Sequence, residues 1–74
     1  MNLDEGIAQI QAKISMVSAS AEMKVARMSD EEARISVYSP AGELNAIQDA
    51  TLIPTIELLN SDGLDIQVFV YEKG

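Results

Sequence analysis

Met23-Lys24-Val25-Ala26-Arg27-Met28-Ser29-Asp30-Glu31-Glu32-Ala33-Arg34-Ile35-Ser36-Val37-Tyr38 is the stretch whose reading decides the fold. Its second half alternates: Ala33, Ile35 and Val37 point one way while Arg34, Ser36 and Tyr38 point the other, as a half-buried strand requires. The polar run Ser29-Asp30-Glu31-Glu32 joins this strand to Met23-Lys24-Val25-Ala26 as a hairpin loop would, which makes the first half a strand as well. The alternative is one helix from residue 3 to 28, because Glu22 to Met28 contains good helix formers and Met28 continues the preceding helical stripe. Ser18-Ala19-Ser20 is a weak place to continue a helix, and the strand reading is preferred.

Upstream, Leu3, Ile7, Ile10, Ile14, Val17 and Ala21 recur at spacings of four and three, the stripe of an amphipathic helix over about residues 3–18. Asn2 or Asp4 can cap it, and Asp4 and Glu5 suit the positive end of its dipole. Downstream, Ser39-Pro40-Ala41-Gly42 ends the strand. Leu44 and Ile47 begin a second helical stripe, and Leu52, Ile56 and Leu59 continue it on a slightly different phase. Pro54 lies between the phases; lacking an amide proton, it predicts a kink or break near residues 51–54. Leu59-Asn60-Ser61-Asp62-Gly63-Leu64 fits a glycine cap with Gly63 left-handed and Leu64 folded back on Leu59. In the last strand Leu64, Ile66, Val68 and Val70 make one face and Asp65, Gln67, Phe69 and Tyr71 the other.

The expected fold class is α+β: one domain over residues 1–74, a small two-layer α/β sandwich of order α-β-β-α-β. A mixed three-stranded sheet carries both helices on one face, with a right-handed crossover between the parallel strands. The long-helix alternative would give α-β-α-β.

Composition narrows the function classes. A chain of 74 residues with 47% hydrophobic residues but one Phe, two Tyr and no Trp must build an aliphatic core. A domain this short buries only about 60% of the surface its unfolded chain exposes, and small cores are commonly reinforced by disulfides, metals or association. With neither Cys nor His in the sequence, association is the expected reinforcement.

Nucleic acid and anionic membranes both demand cations, and the net charge is −7, so neither is an expected partner. Residues 39–74 hold six acids and a single base, Lys73, a surface suited to a basic protein partner. No apolar run approaches the roughly 20 residues of a membrane span, and acids stand at the start where a secretion signal carries positive charge, so the expected location is cytoplasmic.

No cofactor, metal or catalytic constellation is expected. Asn60-Ser61-Asp62-Gly63-Leu64-Asp65 supplies only a fragment of a calcium loop, and a helix cap explains the same residues. One glycine and no lysine in Ser39-Pro40-Ala41-Gly42 fall short of a phosphate loop. Lys13, Lys24, Arg27 and Arg34, four of the five bases, either form a small basic spot or balance the neighbouring acids as ordinary surface charge.

The strand registers together make one further expectation. If Ile35, Val37, Ile66, Val68 and Val70 face the helices, then Tyr38, Phe69 and Tyr71, every aromatic in the chain, emerge on the opposite face with Ser36 and Gln67. Such a patch marks an interface. The reading is a non-enzymatic interaction or assembly module that self-associates, as a homodimer or higher homo-oligomer, through this face. The alternatives are a small acidic inhibitor or antitoxin-like regulator acting by charge mimicry, and a subunit of a composite oligomeric active site.

Overall fold

The stop at the end of the first helical stripe decides the topology. In the computed structural model, which describes residues 1–73, helix α1 runs over Leu3–Val17 and Ser18 leaves helical geometry with ψ 89°. The Ser18 amide still donates to the Ile14 carbonyl, and the Ala21 amide donates to Ser18, so the chain turns at once. Strand β1 (Glu22–Arg27) follows, then β2 (Glu32–Ser39), a 3-10 turn (Ala41–Glu43), helix α2 (Leu44–Asp62) and strand β3 (Asp65–Glu72). The order is α-β-β-α-β, a small α+β fold, and the long-helix alternative does not occur.

Asn2 caps α1 through a capping box, its side chain accepting from the Glu5 amide while the Glu5 carboxylate accepts from the Asn2 amide. The hairpin closes where the polar run predicts, with the Met28 and Ser29 amides both donating to the Glu32 carbonyl. Strand β2 is central: antiparallel to β1, with Val25 opposite Ile35, and parallel to β3, with Ile35 beside Val68 and Tyr38 beside Tyr71.

A single core gathers Leu3, Ile7, Ile10 and Ile14 from α1, Ala33, Ile35 and Val37 from β2, Ile47 and Leu58 from α2, and Leu64 and Ile66. All are aliphatic. Ala21, Met23, Val68 and Val70 pack against its edge. Val17, expected on the stripe, is exposed at the last helical position, and the inward position there is taken by Ser18, which is fully buried. Its hydroxyl donates to the Glu43 carboxylate, so the end of α1 meets the start of α2. At the opposite end the amino terminus lies 3.2 Å from Asp62 Oδ2, and the two helices therefore run antiparallel.

Of the kink or break expected near residues 51–54, the break does not occur: α2 is one undivided helix with Pro54 inside it. The Thr51 hydroxyl donates to the Ile47 carbonyl at 2.9 Å and the Thr55 hydroxyl to the Thr51 carbonyl at 2.8 Å, so both flanking threonines bond back to the helix backbone. At its cap Gly63 is left-handed, φ 68°, as expected, and its amide donates to the Leu59 carbonyl. Leu64 enters the core beside Leu58, while Leu59 stays 49% exposed.

Gly6 is the close approach that positions α1. A Cβ there would stand 3.0 Å from Ile66 Cδ1 and 3.1 Å from Leu64 Cδ1, so a side chain at this position would require both of these side-chain ends to give way.

Two glycines thus matter for different reasons, and substitution separates them. Around Gly63 there is open space, so Gly63→Ala should cost about 1 kcal/mol or more through left-handed strain alone, and Gly63→Asn less. Gly6→Leu should destabilise by about 2 kcal/mol through overpacking. Denaturant melts read both, and an unchanged midpoint for Gly63→Ala would refute the cap.

Candidate functional site

The strands' alternation divides the sheet into two chemically different faces. Ala33, Ile35, Val37 and Ile66 are buried, whereas Arg34, Gln67, Phe69 and Tyr71 are exposed and Ser36 and Tyr38 half-buried. The parallel register brings the second set together, because Tyr38 is paired with Tyr71, Ser36 with Phe69 and Arg34 with Gln67. The five residues expected at an interface, Tyr38, Phe69, Tyr71, Ser36 and Gln67, therefore share one contiguous patch on β2 and β3.

Within it the Tyr38 and Tyr71 rings stack, with centroids 5.3 Å apart and planes at 24°. Arg34 Cζ lies 5.0 Å from the Phe69 ring centroid, and Lys24 Nζ lies 5.7 Å from that of Tyr38. Cation contacts of this kind contribute about 0.5–1 kcal/mol at exposed sites and cover part of each ring. Coverage is incomplete, since Phe69 is still 39% exposed and Tyr71 46%.

The four bases considered as a basic spot separate. Lys24 and Arg34 lie on the aromatic patch, Arg27 pairs with Asp4 of α1, and Lys13 is exposed on α1. The patch carries both signs of charge: alternation places Glu22, Glu32 and Asp65 on this same face with Lys24 and Arg34.

Residues 60–65 form the cap described above. Ser61 donates to the Glu57 carbonyl at 2.7 Å and to Asp62 Oδ1 at 2.8 Å. That hydroxyl and the amino terminus hold the Asp62 carboxyl below its ordinary value. Among the described residues no cavity opens and no group of three or more His, Cys, Asp or Glu gathers, and no helix is long and apolar enough to cross a membrane.

A second surface escaped the sequence reading. Leu52, Ile53, Ile56 and Leu59 are 45–59% exposed on the outer face of α2, while Ile47, Thr51 and Leu58 make its buried row. The two phases of the apolar pattern are two faces of one helix, not one stripe bent by Pro54. The signal lay in Thr51, which continues the Ile47 row at a spacing of four and leads to Leu58.

Compared with protein-family models, with curated proteins and with solved structures, the chain matches none.

The stacked tyrosines should be energetically coupled. A double-mutant cycle with Tyr38→Ala and Tyr71→Ala is expected to return about 0.5–1.5 kcal/mol of interaction in urea melts, and additive losses would mean that the rings are merely adjacent.

Proposed function

We propose that the chain is a protein–protein interaction and assembly module that associates with copies of itself through the aromatic face of its sheet. The observation that supports this reading is the segregation of the side chains: eleven aliphatic residues fill the core, and all three aromatics sit side by side outside it. Aromatic rings flanked by arginine are the side chains most enriched where interfaces concentrate their binding energy. A self-complementary contact also suits the charges. Two copies related by a two-fold axis can set Lys24 and Arg34 of one against Glu22, Glu32 or Asp65 of the other.

A second reading, an acidic regulator that masks a basic site on its target, draws on the absence of any base between Ile35 and Glu72, where six acids occur. The two readings differ in salt dependence, because ion pairing across a rim is screened while burial of apolar rings is not.

Light scattering or sedimentation equilibrium at micromolar concentrations should give at least a dimer that survives added salt. Phe69→Glu changes the face outside the core, so it should shift the mass towards the monomer while leaving secondary structure in place. Val68→Glu puts a charge against the core edge and should unfold the chain. A monomeric wild type, or a Phe69→Glu variant of unchanged mass, would overturn the proposal.

A further inference from the structure

The outer face of α2 differs in chemistry from the aromatic face of the sheet. Leu52, Ile56 and Leu59 follow one another at spacings of four and three with Ile53 beside them, an apolar ridge over about two turns of the helix. Each of the four is about half exposed, although the same helix buries Ile47 and Leu58 on its other side. A helix apolar on two faces ordinarily has neighbours on both.

The charge around the ridge decides what kind of neighbour. Asp49 lies one turn before Ile53 and Glu57 one turn after it, both exposed, and α2 carries no Lys or Arg at all. A second copy packed ridge to ridge would bring these acids against their own counterparts, with no base on either helix to neutralise them. An anionic bilayer surface meets the same repulsion. The area points the same way. Four half-exposed side chains offer on the order of a few hundred Å², the size of a functional surface patch and well below the roughly 800 Å² per partner of a stable interface.

We propose that this ridge docks an amphipathic helix of another protein, one whose apolar anchors recur at i, i+3, i+4 and i+7 and whose flanks carry Lys or Arg. Apolar burial supplies the contact, and the flanking cations, facing Asp49 and Glu57, supply orientation and selectivity. The contact is weak and reversible, and it stands independently of self-association through the sheet.

The test uses the full chain and synthetic amphipathic helical peptides with Leu at the anchor positions, one with Lys on the flanks and one with Glu there instead. The Lys peptide should bind saturably by fluorescence anisotropy, lose affinity as salt is added, and shift backbone amide resonances of residues 49–60. Ile56→Glu should weaken it by about tenfold or more with an unchanged thermal midpoint, and Ile53→Ser, which adds no charge, should weaken it as well. Phe69→Glu should leave it intact, which separates this surface from the sheet's. Equal binding of the Glu peptide, unaltered affinity in Ile56→Glu, or amide shifts confined to β2 and β3 would overturn the proposal. So would α2 shifts that grow with protein concentration alone, the mark of a second copy, or α2 shifts produced by phosphatidylcholine–phosphatidylserine vesicles while the Lys peptide is inert.

Discussion

The buried hydroxyl of Ser18, donating to the Glu43 carboxylate, is the contact on which the arrangement of the chain depends. It lies where α1 stops and α2 starts, so it ties the end of the first helix to the start of the second. A buried hydroxyl without a partner costs about 1–3 kcal/mol, a large part of what a domain of this size has in reserve. The same stop turns the chain into β1 within four residues and makes the hairpin possible.

Once β2 is placed between β1 and β3, strand parity decides the rest. Odd-numbered residues of β2 and even-numbered residues of β3 supply the aliphatic core, and their neighbours supply the aromatic patch. A slip of one residue in the parallel register would exchange these sets and send Tyr71 towards the core in place of Val70. The absence of aromatics from the core therefore has a structural effect: a core of Ile, Leu, Val and Ala is thin enough for α1 to approach β3 at Gly6.

Most of this was legible in the sequence wherever the determining signal is local. The α1 stripe, the alternation of β2 and β3, the polar hairpin loop and the left-handed Gly63 follow from neighbours a few residues apart, and the grouping of Tyr38, Phe69 and Tyr71 follows once parity is known. What the sequence hid depends on distant partners. Ser18 reads as a weak helix residue until Glu43 is seen beside it, and Gly6 reads as an indifferent helix position until Ile66 and Leu64 crowd it. In α2 a local rule misled: Pro54 suggested a break between two apolar phases, whereas the helix runs undivided through Pro54 and the phases lie on opposite sides.

The distribution of charge along the chain makes the two exposed surfaces chemically different. Four of the five bases lie before Ile35, and the hairpin carries two of them, Lys24 and Arg34, onto the aromatic face. That face can satisfy itself, because each copy brings both signs. The chain from Ile35 to Glu72 has only acids, so α2 presents its apolar ridge with nothing of its own to offset Asp49 and Glu57. Like charge across a close contact is a strong discriminator even where apolar area is available. On the two proposals made above, self-association would use the sheet and not the helix, and the helix would be left for a basic partner whether or not the sheet is occupied.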